Sequence, residues 1–300
     1  MPYKITDLDK TEGIVPTITC WGDSLTQGTG GTPFPTYLAY AYRRLVNNFG
    51  IGGQRMAQIA QRQGATPIYL TLSGNAFSGT TAVSVTSINY SSPTNINSPI
   101  STPADNTTRY MGGTINGIQC QLTRTSTGGP PSTSETYTLK PVGTSVASIP
   151  SGSRFYPDDS FNAINDIQVL WLGRNNVPTL TGLDTIIDKA IGLMRKPKRV
   201  IVIGVLNAID EPNGNANKTA IDAMNAILLA NYPTNFIPTT PPTQAEATAV
   251  GYGTFTGTDN TEIASGIFPT SFHADNIHLN SYGYQVIANR VIDMINNFGW

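Results

Sequence analysis

The sequence predicts an α/β protein in which a parallel sheet, covered by helices on both faces, is interrupted by an inserted β-sandwich. Three observations carry this. Continuous apolar runs at 167–172 and 199–206 alternate with amphipathic stretches at 183–194 and 218–229, the pattern of doubly buried strands joined by helical crossovers. Residues 65–157 break that pattern: they hold six charged residues, no histidine and a dense Ser, Thr, Gly, Pro and Asn content. Within them, alternating apolar positions recur over 68–72, 83–90, 118–122 and 137–142, as half-buried strands require. A solvated linker would have no reason to repeat such positions. The chain thus divides into one domain made of 1–64 and 158–300 and an inserted β-domain at 65–157.

Taken in order, 14–21 is a β-rich run leading directly into Gly22, and 36–46 is helical with Leu38, Tyr42 and Leu45 on one stripe. A short helix is expected at 54–62. The helix at 183–194 turns Ile186, Ile187, Ala190 and Met194 inward, and the one at 218–229 turns Ile221, Met224 and Leu228 inward. Residues 239–269 show little pattern and read as long loops. An amphipathic run at 285–296 closes the chain as a terminal helix.

A formal charge of −1 and only 12% charged residues argue against nucleic acid or an anionic membrane as partner, since both need a basic face. Two cysteines are too few for a disulfide framework, and Cys20, in an apolar run, reads as a buried free thiol rather than half of a bridge to Cys120. The first residues lack an apolar signal-peptide core, and no stretch approaches the roughly 18 apolar residues of a membrane span. A soluble chain without signal peptide or membrane segment is expected.

The chemistry lies in two segments near opposite ends, Trp21-Gly22-Asp23-Ser24-Leu25 and Asp275-Asn276-Ile277-His278. A serine hydroxyl is a weak nucleophile until a base takes its proton, and an imidazole does this best when a carboxylate fixes its tautomer. Ser24, His278 and Asp275 can fill those roles. Only His273 and His278 are available as imidazole bases, and His278 has the aspartate three residues before it. The bland alternative makes His278 a capping or core histidine. No Gly-x-Ser-x-Gly elbow, His-Glu-x-x-His or P-loop occurs, and Gly50-Ile51-Gly52-Gly53 lacks the final glycine of a dinucleotide loop.

Gly22-Asp23-Ser24-Leu25, Asn48-Phe49-Gly50-Ile51-Gly52-Gly53, Gly173-Arg174-Asn175-Asn176 and Asp275-Asn276-Ile277-His278 follow the order of the four blocks of the SGNH, or GDSL, hydrolases, and the sequence resembles that family over 1–64 and 158–300. The resemblance implies a flavodoxin-like three-layer α/β/α domain around a parallel sheet, with the β-sandwich inserted between the second and third blocks. It implies Ser24 as nucleophile, Asp275 and His278 as acid and base, and an oxyanion hole from the Ser24 N–H, the Gly53 N–H and the Asn175 side-chain amide. Each such donor is worth roughly 3 kcal/mol in acyl transfer. Gly52, adjacent to Gly53, is the other glycine open to the second role. Arg174, beside the donor asparagine, is a possible substrate contact or a solvent-facing arginine. Asn176 departs from the family, which usually has aspartate there.

No metal or other cofactor is needed for such chemistry. The insert resembles accessory modules of carbohydrate-processing proteins, and the segment from Gly266 to Tyr284 resembles bacteriophage tail-spike esterases that deacetylate polysaccharides. The expectation is therefore a serine esterase removing O-acetyl groups from a poly- or oligosaccharide, extracellular or virion-associated, without nucleic-acid or membrane partners. A glycan-binding protein with little catalysis is the alternative from another class; a lipase or thioesterase would need an apolar acyl channel that no patch of the sequence supplies. No heptad or stalk indicates an oligomeric state.

Overall fold

The structure, a computed structural model, describes residues 16–91, 98–127 and 134–300. Strand β1 (Ile18–Gly22) is buried throughout and runs into a single helical turn, α1 (Ser24–Gln27). Gly22 permits this close passage, because a Cβ there would collide with the Thr26 hydroxyl and the Trp171 carbonyl. Helix α2 (Phe34–Tyr42) follows, then the half-exposed strand β2 (Val46–Gly50) and helix α3 (Met56–Gln63). Eight strands come next: β3 (Ile68–Leu72), β4 (Ala76–Gly79), β5 (Val83–Ile88), β6 (Arg109–Ile115), β7 (Ile118–Thr127), β8 (Ser134–Pro141), β9 (Ser145–Ser148) and β10 (Ser153–Pro157). The chain then alternates again through α4 (Asp158–Asn162), β11 (Ile167–Trp171), α5 (Leu183–Leu193), β12 (Arg199–Ile203), α6 (Ala216–Asn231) and the short β13 (Phe236–Ile237). It ends with α7 (Gln244–Ala249), α8 (Gly257–Ala264) and α9 (Ser281–Phe298).

Three strand systems result, the smallest an antiparallel pair of β4 with β9. The first is a five-stranded parallel sheet in the order β13-β12-β11-β1-β2, in which Ile18 of β1 registers with Val46 on one side and Ile167 on the other. Because alternate residues of a strand face opposite ways, this sheet feeds two cores. Cys20, Val169 and Ile201 pack with Leu38 of α2 and Ile287, Val291 and Ile295 of α9. Trp21, Leu170 and Val202 pack with Ile59 of α3, Ile187 of α5 and Met224 of α6.

The second system corrects the expected fold class. The flavodoxin-like three-layer domain carrying a β-sandwich does not describe this molecule: β10, β3, β5, β8, β7 and β6 form a closed antiparallel barrel beside the parallel sheet, and the chain is a mixed α/β protein. β10 pairs with β3 through Phe155 and Ile68 and with β6 through Phe155 and Ile115, which closes the ring. The physical reason for the misreading is that alternation reports one buried face per strand and is silent on what that face meets. A second sheet and the far wall of a closed barrel impose the same period. Here the inward residues, among them Leu70, Ile88, Leu122, Leu139 and Phe155, fill the barrel as one core.

Smaller differences have local causes. The expected helix at 36–46 stops at Tyr42, where Arg43 turns left-handed, so Leu45 is 70% exposed and Val46 begins β2. The patternless 239–269 contains α7 and α8, each started by a threonine capping box, Thr243 with Glu246 and Thr256 with Asp259. Residues 14 and 15 of the expected first strand lie outside the described residues. Cys20 and Cys120 are buried free thiols in separate cores. Among the described residues no helix is long and apolar enough to cross a membrane.

Candidate active site

The chain leaves β1 for β2 on one side and later returns as β11 on the other, which opens a crevice at the carboxyl end of β1. Ser24 sits there. Asp23 caps α1, its Oδ1 accepting from the Leu25 N–H at 3.0 Å, and Ser24 takes the first helical position, where a backbone N–H has no intrahelical acceptor.

The other half of the site is the loop before α9. Its ends are tied by the pairing of His273 with Leu279 and by the Asn280 N–H donating to the Phe272 carbonyl at 2.9 Å; the Asn280 side chain then caps α9. Between these ties the Asp275 Oδ1 accepts from the Ile277 and His278 N–H groups at 2.8 and 2.7 Å, and its Oδ2 lies 2.7 Å from His278 Nδ1. A carboxylate can only accept, so the proton is on Nδ1 and Nε2 is the acceptor. Ser24 Oγ lies 2.8 Å from that Nε2. Ser24, His278 and Asp275 are therefore joined in one hydrogen-bonded line across the two ends of the chain. Partial burial pushes the Asp275 carboxyl up, but the hydrogen bonds from His278 and Ile277 outweigh it and bring it to about 2.

His273, the other imidazole, is buried against Phe268, and burial brings it down to about 4, so it is neutral near pH 7. Asp23 moves oppositely. Burial raises its carboxyl to about 6, against the Leu25 N–H bond and the nearby His278 and Arg174.

The glycine turn after β2 lies against the serine: a Cβ on Gly52 would stand 3.7 Å from Ser24 Cβ. The Gly52 N–H is already committed to Gln27 Oε1 at 2.6 Å, whereas the Gly53 N–H donates no hydrogen bond among the described residues. Asn175, in the turn after β11, donates through Nδ2 to the Gln54 carbonyl at 2.9 Å and lies 3.4 Å from Asp23 Oδ2. It thereby ties the glycine turn to the serine turn. The neighbouring Asn176 Oδ1 accepts from the Met56 N–H at the start of α3, a task a carboxylate would perform equally well.

Arg174 does not face the crevice as a free cation. It forms a two-pronged pair with Glu211 at 2.6 and 3.0 Å and donates to the Leu206 carbonyl. Beside Asn175 lies a cavity of about 390 Å³ lined by Arg55, Met56, Asn175, Asn176, Val177, Thr179 and Thr181. A larger cavity of about 630 Å³, bounded by Phe236, Pro241 and Met294, is lined by none of Ser24, Gly53, Arg174, Asn175, Asp275 and His278. The cavity beside Asn175 is the better candidate despite its smaller size, because Asn175 itself lines it. Among the described residues no cluster of three or more His, Cys, Asp or Glu side chains is arranged to hold a metal ion.

Sequence reasoning missed three residues that hold this site. Arg62, buried, donates to the Gly22 carbonyl at the end of β1, to the Phe49 carbonyl of β2 and to Gln54 Oε1. Burial lowers its guanidinium to about 9. Thr102 donates to the Gly52 carbonyl from the barrel side, and Gln54, directly after the glycine turn, donates to the carbonyls of Pro99 and Ser101. A glutamine directly after a Gly-Gly turn was the one available signal; an isolated threonine in a Ser/Thr-rich segment carries none. No family model matches the chain, and neither a curated protein nor a solved structure is similar to it.

Proposed function

We propose that the protein is a serine esterase of the SGNH kind that removes O-acetyl groups from a polysaccharide through an acyl-serine intermediate. The observation that carries this reading is the hydrogen-bonded line from Ser24 Oγ through His278 to Asp275. Nε2 takes the hydroxyl proton as Oγ attacks the ester carbonyl carbon, and the negative charge grows on the carbonyl oxygen. The N–H groups of Ser24 and Gly53 are the uncommitted donors for it; Asn175 joins them by giving up its long contact with Asp23. His278 then returns the proton to the departing sugar oxygen. Water, deprotonated by the same Nε2, releases acetate and restores the serine.

The acetylated-glycan assignment is supported by the cavity beside Asn175. Its volume lies within the roughly 300–1,000 Å³ of small-ligand sites. Its lining sets the hydroxyl, amide and guanidinium groups of Thr179, Thr181, Asn175, Asn176 and Arg55 beside the apolar Met56 and Val177, a mixed wall that suits a sugar better than a long acyl chain.

Hydrolysis of a small acetyl ester by the wild-type chain and by Ser24→Ala tests the reading, followed by acetate release from acetylated polysaccharides. We expect a loss of at least about 10³-fold on substitution. Equal, near-background rates would overturn the catalytic reading, and activity confined to long acyl chains would overturn the substrate.

A further inference from the structure

We propose that residues 98–107 of the barrel form a strap that aims the Gly53 N–H at the reacting carbonyl, with Thr102 as the positioning residue. The inference rests on the esterase reading above and assigns the inserted barrel a part in the chemistry.

The strap precedes β6 and is anchored at the barrel end by a buried ion pair. Arg124, with no exposed surface, donates from Nε to Glu135 Oε1 at 2.8 Å and from its other nitrogens to the carbonyls of Thr102, Asp105 and Thr107 at 3.0, 3.2 and 3.0 Å. Glu135 in turn accepts from Ser101 Oγ at 2.7 Å. One guanidinium thus gathers three strap carbonyls, which holds that backbone far more firmly than an exposed loop.

The opposite side of the strap grips the glycine turn. Gln54 Nε2 donates to the carbonyls of Pro99 and Ser101, both at 2.8 Å, and Gln58 Nε2 donates to those of Ser98 and Ser101. Thr102 Oγ1 accepts from the Ala104 N–H at 2.9 Å, which sets its rotamer, and donates to the Gly52 carbonyl.

That last bond orients the Gly53 donor. The Gly52 carbonyl and the Gly53 N–H belong to one planar trans peptide, so they point in opposite directions. Tying the carbonyl to Thr102 turns the N–H away from the strap. Gly52 faces Ser24, while a Cβ on Gly53 would meet Pro103 at 3.0 Å and Thr102 Oγ1 at 3.3 Å. Gly53 has φ +73°, a left-handed conformation glycine adopts without strain but does not by itself enforce. The Gly52 N–H, held by Gln27, fixes the preceding peptide. The strap therefore supplies the constraint that a glycine turn lacks.

Thr102→Val removes the hydroxyl at nearly constant shape, and Thr102→Ser keeps it. On a small acetyl ester we expect T102V to lower kcat about 10- to 100-fold with KM within about twofold, and T102S to stay within about threefold of wild type. Thermal melts of both variants accompany the kinetics, so that unfolding is seen separately from misplacement. Ser24-dependent turnover that T102V leaves unchanged overturns this inference alone, as does an equal loss in both variants. A wild-type chain without Ser24-dependent turnover overturns the esterase reading and, with it, the strap's role.

Discussion

Asp23→Asn is expected to make the protein more stable at pH 8 and less active. Asp23 is almost completely buried, and burial raises its carboxyl from 3.8 to about 6. Below pH 3.8 the carboxyl is protonated in both folded and unfolded chains. As pH rises from there to about 6 the unfolded chain loses the proton first, so stability falls across that window. The gap, at about 1.36 kcal/mol per pH unit, amounts to about 3 kcal/mol lost above pH 6. Asparagine is never charged and caps a helix as well as aspartate, so the bond from the Leu25 N–H survives. What is lost is the 3.4 Å contact with Asn175, about 1 kcal/mol. The net expectation is a gain of about 2 kcal/mol at pH 8 and a loss of up to about 1 kcal/mol below pH 4. Urea denaturation followed by tryptophan fluorescence, with Trp21 two residues away, measures both. The activity should fall because an ionised Asp23 favours the His278 imidazolium formed during attack. Equal pH dependence in the two proteins, or a less stable variant at pH 8, would refute the buried-charge argument.

Asp275→Asn should lower kcat by roughly 10³- to 10⁴-fold with little change in KM, by releasing the imidazole to the wrong tautomer. The Asp275 carboxyl, held near 2, stays ionised down to about pH 4, so its protonation should cause no loss of kcat/KM in a pH profile taken to that point. Glu135→Gln leaves the buried Arg124 guanidinium with only the longer 3.8 Å contact to Asp105 as counter-charge, and we expect a loss of about 3 kcal/mol in denaturant unfolding. A loss under about 1 kcal/mol would show that the strap carbonyls alone satisfy Arg124.

The candidate site was largely legible because its chemistry is local in sequence. Asp275 and His278 are three residues apart, and the loop that carries them closes on its own hydrogen bonds, Asp275 Oδ1 accepting from the Ile277 and His278 N–H groups. Ser24 likewise brings its own cap. What joins the two halves is the sheet, whose apolar runs at 167–172 and 199–206 were equally readable. Arg174 was less legible: its partner Glu211 stands 37 residues away, and no short-range pattern announces a pair formed across two loops. The edge strands β2 and β13 were missed because they are polar or only two residues long.

The barrel closure was illegible for a different reason, and it bears on how the insert must be tested. Asn116 and Gly117, both at positive φ, join β6 to β7 in the manner of a two-residue hairpin, and such a signal fixes one strand pair. Closure depends on β10 meeting both β3 and β6, partners up to 87 residues away. Excising 65–157 to ask whether the insert binds glycan would also remove Thr102, Pro103 and the acceptors of Gln54 and Gln58. Lost turnover in such a deletion would not separate substrate capture from a misplaced oxyanion donor. On the strap proposal, substitutions there should act on kcat for a small ester that needs no glycan contact, whereas substitutions on the outer barrel face leave the strap intact. The two roles proposed for the barrel are distinguished only by variants that spare its anchor, the Arg124–Glu135 pair.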